Sequence, residues 1–530
     1  MLTMKINISK ILLTGLLTCM CACNCTTEKS DSKEPDKPAP KPEVVKKDVV
    51  TYVTTEDSRR QFEMSTFKFD KPGTMSPNQV MYDKTDLSEI TVDGFGLAVT
   101  TSSAYNLLKM DPTDRTAFLE ETFSREKGAG MSLIRVAIGA SDFCLDDNYT
   151  WCDTPGLENF AVHSEDKDYL FPVLKEIYAI NPDVKIIGSP WSCPLWMKCN
   201  MPGGNNWNVS QFNVPVTDET TYNSWTGGRL KPSCYDEYAE YFVKWIQTME
   251  KEGFDIHAIT MQNEPLNPGN SMSLVMPWQD QKEFVKVLGP AMDKAGLADV
   301  EILLFDHNFN YDGKEGQDNY PLNIYADPEA YKWADGSAWH AYGGNVTELD
   351  EIYAANPEKS IYFTEASIGE WIGGWENRWD FNFLSNCLLN DFSSIFLGTL
   401  KRGGRGVTLW NLMLDDKRGP YSRHDGSCKT CYGGVTIHSG NYKSLVKNSH
   451  WFDCAHASVA IKPGAKKMTY SAMNIASGVE MQMYLNPDNT VGVVICNKST
   501  KDQDFAFANT KFTVNFTAPA KSVSSVLWQE

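Results

Sequence analysis

A chain of 530 residues, 42% of them hydrophobic and 22% charged, is long enough for more than one folded domain and too apolar to remain disordered throughout. A net charge of −19 excludes a surface that holds nucleic acid or an anionic membrane by charge, and it suits a neutral substrate. At the N-terminus, Lys5 and Lys10 precede the apolar run ILLTGLLTCMCAC, which is too short to span a bilayer and reads as a targeting segment. Met20-Cys21-Ala22-Cys23 resembles a bacterial lipobox, with small Ala22 before a cysteine that would carry lipid. Residues 1–22 are then a signal peptide and Cys23 the lipidation site, with Cys19 as second choice. Residues 23–50, rich in Pro, Lys and Glu, read as a disordered tether. The expected product is an exported bacterial lipoprotein, at the cell surface or in the periplasm and anchored to the outer membrane.

From residue 90 a strand-then-helix pattern repeats. The first strand is ITVDGFGLAVT (90–100), followed by a helix capped by Asp111 with Pro112 at its first position and Gly128 as a stop. SLIRVAIGASD and VKIIGSPW are the second and third strands. After a polar loop (200–231), Tyr235, Tyr238, Ala239, Phe242, Trp245, Ile246 and Met249 form one apolar helical stripe. IHAITMQNEP, VEILLFDHN, GSAWHAYGG, SIYFTEAS and GVTLWNLML supply strands four to eight, with a long helix, FLSNCLLNDFSSIFLGTLKRGG, before the last. Short apolar strands alternating with helices predict a parallel sheet covered by helices, and eight such units predict a (β/α)8 barrel over 90–440. Residues 441–530 alternate β-formers with turn residues and read as a smaller antiparallel β-sandwich, to which 51–89 adds at least a strand.

The predicted strands end in polar residues. The second carries Arg135 and ends near Asp142, the third ends at Trp191, and the fourth at Asn263-Glu264. Asp306 and His307 close the fifth. His340 and Tyr342 follow the sixth, Glu365 the seventh, and Trp410 the eighth. In a barrel all these ends meet on one face, where the active site lies. Two glutamates on different strands are what glycoside hydrolysis requires: a neutral acid to protonate the leaving oxygen and a charged nucleophile for the anomeric carbon. His340 or Tyr342 is placed to hold Glu365 ionised, Asn263 to bind a sugar hydroxyl, and Trp191 and Trp410 to floor the pocket. No nucleophile elbow, dinucleotide turn or phosphate loop appears, and neither a cofactor nor a metal is expected.

Fourteen cysteines, four of them at 19–25, leave ten in an exported chain where disulfides persist. Close spacing suggests local bridges, Cys144 with Cys152, Cys193 with Cys199 and Cys428 with Cys431. The CKTC motif alone is a poor zinc site. Of the fifteen tryptophans, Trp207, Trp225, Trp371, Trp375 and Trp379 fall in polar loops, where some are expected to stack on sugar units.

DGFG (93–96), SPWSCPLWMK (189–198), TMQNEP (260–265), FTEAS (363–367) and TLWNLMLDDKRGP (408–420) resemble glycoside hydrolase family 30, in family order. The resemblance implies a barrel fused to a β-sandwich and hydrolysis of β-glycosides with retention by double displacement. It implies Glu264 as acid/base and Glu365 as nucleophile, with Arg135, Asp142, Trp191, Asn263, His307, His340, Tyr342 and Trp410 binding substrate. Leu97 and Cys193 depart from common family residues and bear on loop shape. FDHN, WHAYGG and the lipoprotein context look most like the endo-β-1,6-glucanase branch, acting as a monomer on a β-glucan polysaccharide or oligosaccharide. A glucosylceramidase or β-glucosidase is the alternative. A noncatalytic glycan-binding lipoprotein would have lost one of the two glutamates.

Overall fold

The computed structural model describes residues 49–145, 147–204, 209–372 and 382–529. Cys23, residues 24–48 of the expected tether, Trp207, Trp375 and Trp379 lie outside them; Val49 and Val50, expected in the tether, instead pair as the start of a strand. Eight strands form the predicted barrel: β1 (Gly94–Leu97), β2 (Leu133–Ala137), β3 (Lys185–Ser189), β4 (Ile256–Thr260), β5 (Glu301–Asn308), β6 (Gly336–His340), β7 (Ser360–Glu365) and β8 (Gly406–Leu409). They pair in parallel in the order β1-β8-β7-β6-β5-β4-β3-β2. Backbone bonds from Ser132 N–H to the Phe95 carbonyl (3.1 Å) and from Val99 N–H to the Arg135 carbonyl (2.9 Å) close the ring. The DGFG motif serves that closure. A Cβ on Gly96 would lie 2.2 Å from the Leu133 carbonyl oxygen, so only glycine lets β1 and β2 approach.

Helices cover the barrel as the apolar stripes predict. Asp111 caps Pro112–Phe123 by accepting the Thr113 N–H at 2.9 Å. Tyr235–Glu252 buries Tyr238, Ala239, Phe242, Trp245, Ile246 and Met249, then stops at left-handed Gly253. Inside the barrel, the period of two along each strand sorts side chains into layers. Leu133, Ile187, Ala258, Leu303, Ala338 and Tyr362 form a buried apolar layer. Two residues further along, Arg135, Ser189, Thr260, His340 and Thr364 form a buried polar one.

β5 would place Phe305 in that polar layer. Instead its register shifts between Phe305 and His307, where Phe305 (φ 71°) and Asp306 (φ 69°) take left-handed backbone. The bulge turns Asp306 inward at the cost of strain on a bulky residue. The Gln281 side-chain Oε1 accepts the Phe305 N–H at 2.8 Å and helps hold it there.

The side domain is one hydrogen-bonded sheet of nine strands, in the order 63–67, 49–55, 522–529, 490–497, 479–485, 466–473, 78–91, 503–508 and 513–518. Pairing is antiparallel except between 78–91 and 503–508. Its core includes Val49, Val80, Val493, Phe505, Phe507 and Trp528. The N-terminal segment contributes three strands, and Ile90 and Thr91 belong to this sheet, not to the first barrel strand as the sequence suggested. Before its first sheet strand the C-terminal region carries an unpredicted helix, Ser449–Ala460, which ties the two domains together. Cys454 Sγ and Ser458 Oγ reach the Gly96 and Phe95 carbonyls of β1, while His456 Nδ1 lies 2.9 Å from Ser525 Oγ.

One of the three expected disulfides forms, Cys428–Cys431. That bridge takes both thiols of CKTC out of metal binding. Cys144, Cys152, Cys193 and Cys199 are free and buried, which corrects the two other pairings. Cys144 Sγ points to the Asp147 carbonyl, Cys152 Sγ to that of Gly156 and Cys199 Sγ to that of Arg229. Sequence proximity does not bring Cβ atoms into bridging geometry.

Candidate active site

The polar layer is organised around one ion pair. Arg135 is fully buried, and its guanidinium donates to Asp306 Oδ2 (2.7 Å), Glu365 Oε2 (2.5 Å), Asn263 Oδ1 (2.7 Å) and Ser189 Oγ (3.0 Å). Asp306 also accepts the hydroxyls of Thr260 (2.6 Å) and Thr364 (2.7 Å), and His340 Nε2 stands 3.0 Å from its Oδ1. Burial would raise the Asp306 carboxyl, yet the Arg135 charge, His340 and Thr260 hold it well below the usual carboxylate range. Five strands therefore meet at one aspartate. Past the ends of β3 and β8, Trp191 and Trp410 stack at 4.9 Å, with the Arg135 guanidinium 5.0 and 5.6 Å from their rings.

Above this hub stand the two glutamates. The end of TMQNEP is no ordinary strand end meeting solvent. Gln262 donates to the Trp191 carbonyl, Asn263 N–H to that of Pro190, and Glu264 N–H to that of Asp306. Glu264 itself is left-handed (φ 46°), which turns its carboxyl into the barrel mouth. Its Oε2 accepts amide protons from Asn267 (2.8 Å) and Asn270 (2.5 Å), and its Oε1 faces His340 Nδ1 at 3.5 Å. Glu365 takes donors on both oxygens, Arg135 on Oε2 and the Tyr342 hydroxyl on Oε1 at 3.0 Å. One oxygen of each glutamate and one His340 ring nitrogen lie within 4.8 Å of one another. A retaining glycosidase needs roughly 5–5.5 Å between its carboxyls and an inverting one about 6.5–9.5 Å, so this spacing fits retention.

Burial acts first on all of these groups. It would lower His340, but Glu365, Asp306 and Glu264 raise it to about 9, so the imidazole is charged at neutral pH. Burial raises the Glu264 carboxyl, but His340 and His307 bring it down to about 2. At 3.5 Å the His340 contact is an ion pair, not a hydrogen bond, so the two amide donors carry the short contacts. His307, pushed by burial to about 4, is itself neutral at neutral pH. Glu365 stays above its ordinary value, because burial and the charges of Glu264 and Asp306 outweigh His340 and Arg135. Burial and both glutamates also push Asp142 well up. The glutamates and His340 thus titrate together.

A cavity of about 740 Å³ opens over the pair. Of the expected site residues, Asp142, Glu264, Tyr342, Glu365 and Trp410 line it, while Arg135, Trp191, Asn263, His307 and His340 are buried behind them. Tyr342 is the expected group that holds Glu365, and His340 instead lies between Glu264 and Asp306. Asn267, Asn270, Thr260 and Thr364 were not singled out from the sequence. The two asparagines lie within six residues of Glu264, a cue open to anyone who asks what a left-handed glutamate would lean on. Trp225 is half-buried against the barrel core, whereas Trp371 is exposed at the cavity wall.

Residues 92–427 match the glycosyl hydrolase family 30 TIM-barrel domain, and residues 464–526 match the beta sandwich domain of the same family. The chain is 31% identical to an endo-1,6-beta-D-glucanase of Aspergillus fumigatus, over 81% of its own length and 83% of the relative's. An endo-1,6-beta-D-glucanase of Trichoderma harzianum is 30% identical, over 81% and 82%. Among solved structures, the endo-beta1,6-glucanase BT3312 superposes with a TM-score of 0.83 at 44% identity, covering 91% of this chain and 99% of that one. With a closed barrel, a fused β domain and a carboxylate pair at the mouth, the chain belongs to glycosyl hydrolase family 30.

Proposed function

We propose that the protein is a retaining endo-β-1,6-glucanase that cleaves β-1,6-glucan, of the pustulan type or as found in yeast cell walls. The observation that carries this reading is the glutamate pair within 4.8 Å, in a chain 44% identical to the endo-beta1,6-glucanase BT3312 over nearly all of that structure. Glu365 acts as nucleophile. Arg135 and Tyr342 donate to its two oxygens, which aims the carboxylate, and the Arg135 charge offsets part of the rise that burial causes. Glu264 acts as acid and then base. Its carboxyl lines the cavity, and its Oε1 faces the charged His340 imidazole at 3.5 Å, a proton source beside it. In the first step the charged His340 passes its Nδ1 proton to Glu264, which is ionised beforehand, and Glu264 hands it to the glycosidic oxygen as Glu365 attacks the anomeric carbon. The glycosyl-enzyme cancels the Glu365 charge, so Glu264 more readily stays ionised and deprotonates the attacking water. Arg135 occupies the Asn263 carbonyl oxygen, which leaves the amide N–H groups for a sugar hydroxyl.

Incubation with β-1,6-, β-1,3- and β-1,4-glucans is expected to release oligosaccharides of several lengths from the β-1,6-polymer. Release of glucose alone would remove the endo assignment. Hydrolysis of glucosylceramide without any β-1,6-glucan cleavage would move the protein to the glucosylceramidase reading.

We further propose that the enzyme acts as a monomer, since one chain supplies every group of the site, and that Cys23 carries lipid and anchors it outside the inner membrane. Among the described residues no helix is long and apolar enough to cross a membrane, and the lipobox-like Met20-Cys21-Ala22-Cys23 supports the anchor. Mass spectrometry of the N-terminal peptide from a bacterial membrane fraction is expected to show a diacylglyceryl-modified Cys23. An unmodified peptide beginning at another residue would overturn the anchor.

A further inference from the structure

We propose that Trp371, together with the polar stripe Asn386, Asn390 and Ser394, forms a binding subsite for a further glucose unit of the chain being cut, outside the pocket where the bond is broken. This rests on the reading of the protein as a β-1,6-glucanase.

Trp371 is the one described tryptophan with a largely exposed side chain, 48%. It lies six residues beyond Glu365 and lines the same cavity as both glutamates. An indole left in water is unfavourable, and its position is fixed from beneath. A Cβ on Gly369 would fall 2.0 Å from the Trp371 ring, so the ring packs directly against this glycine, where any larger residue would displace it. Gly369 in turn pairs with Cys431 in a short antiparallel ribbon, 368–369 with 431–432, and the Glu370 N–H bonds to the Thr430 carbonyl at 3.0 Å. The Cys428–Cys431 disulfide closes that ribbon. The indole is therefore packed on one side and braced by the ribbon beneath Gly369.

The same cavity is lined by one face of the helical segment that runs through residues 384–401. Asn386, Asn390 and Ser394 are exposed on it, four residues apart, and so stand one above another about 5–6 Å apart at Cβ. Each turns its donor back onto its own helix: Asn386 Nδ2 to the Asn382 carbonyl, Asn390 Nδ2 to that of Asn386, and Ser394 Oγ to that of Asn390. No hydrogen bond from a described residue reaches Oδ1 of Asn386 or Asn390. The stripe thus offers a row of oriented acceptors. A pyranose presents an apolar C–H face to an aromatic ring and hydroxyl donors around its edge, which is the complement of a braced indole and a row of amide oxygens in one cavity.

A β-1,6 linkage adds a rotatable bond between sugar units, so a free chain has more conformers to lose on binding. A rigid platform reduces that loss by having no freedom of its own to give up. The subsite should therefore act on chain length and on KM more than on the chemical step.

The experiment is steady-state kinetics on β-1,6-linked glucose oligomers of increasing length, for wild type, Trp371→Ala, Trp371→Phe, Gly369→Ala and Asn390→Ala. For wild type, kcat/KM is expected to rise with length. Trp371→Ala should flatten that rise, with a loss of roughly 10- to 30-fold on long oligomers, the scale of a truncated aromatic anchor. The loss should lie mainly in KM and be several-fold smaller on the shortest substrate cleaved. Trp371→Phe should recover most of it. Gly369→Ala should reproduce the loss with the tryptophan still present, because the ring is displaced, and Asn390→Ala should give a smaller loss of the same kind. A Trp371→Ala enzyme that keeps the wild-type length dependence would overturn the subsite and leave the glucanase reading standing. A wild-type enzyme that cleaves no β-1,6-linked oligomer of any length would overturn both.

Discussion

Glu365→Gln is expected to lower turnover of every β-glucoside by about 10⁵- to 10⁶-fold, the scale on which removal of a covalent nucleophile is felt. An amide cannot form the glycosyl-enzyme, whatever the leaving group. The substitution also puts an amide where Arg135 Nη1 and the Tyr342 hydroxyl now donate to two carboxylate oxygens. The amide N–H₂ then faces either Arg135, which can only donate, or the Tyr342 hydroxyl, which must turn to accept it, and this disturbs the aim as well as the chemistry. Glu264→Gln separates the two roles. It should slow β-1,6-glucan hydrolysis by about 10²- to 10⁴-fold, the usual contribution of a general acid. It should spare the first step on an aryl β-glucoside, whose phenolate leaves without protonation, so that a burst of phenol precedes slow deglycosylation. Added azide, a nucleophile that needs no general base, should then restore turnover in Glu264→Gln and give a β-glucosyl azide. If azide rescued Glu365→Gln instead, with the inverted α-product, the two assignments would have to be exchanged.

Arg135→Met should be the most damaging substitution away from the two glutamates. It strands Asp306 and Glu365 as buried carboxylates whose shared cation is gone, and it leaves Asn263 Oδ1 and Ser189 Oγ without their donor. Breaking a buried pair in this way costs about 3–5 kcal/mol. Turnover should fall by at least about 10²-fold as well, because Glu365 loses its aim. The pH dependence identifies the cause. The folded Asp306 carboxyl lies below the roughly 3.9 of an unfolded aspartate. Its stabilisation is complete above that value and is lost as pH falls below it toward the folded pKa. Without Arg135 the folded value rises and this contribution shrinks. The gap in thermal midpoint between wild type and Arg135→Met should therefore be widest near neutral pH and narrow below about pH 4. A gap that stays constant down to pH 3 would show that Arg135 stabilises by packing against Trp191 and Trp410 and not through Asp306.

The sequence by itself determined the barrel, the order of its strands and the two glutamates. Each depends on local information: a period of two along a strand, a period of 3.6 along a helix, and polar residues where a strand stops. Because a barrel sends all its strand ends to one face, residues 264 and 365 were placed together without any knowledge of distance. The tertiary structure alone decided what surrounds them. Asp306 becomes the centre of the polar layer only because β5 bulges at Phe305, and a bulge leaves the hydrophobic pattern of the strand almost unchanged. Asn267 and Asn270 hold Glu264 only because its left-handed backbone folds the following loop under its carboxyl. Cys144 and Cys152 lie eight positions apart and remain unbridged, whereas Cys428 and Cys431 join, since bridging depends on the direction of Cβ and not on spacing. The tryptophans show the same division. Composition revealed an excess of them, but only packing separates Trp191, stacked on Trp410 beside Arg135 and out of reach of solvent, from Trp371, packed against a glycine and exposed at the cavity. Periodicity reports which side of an element is apolar, whereas the partner that a side chain meets across the fold is set by chain segments hundreds of residues away.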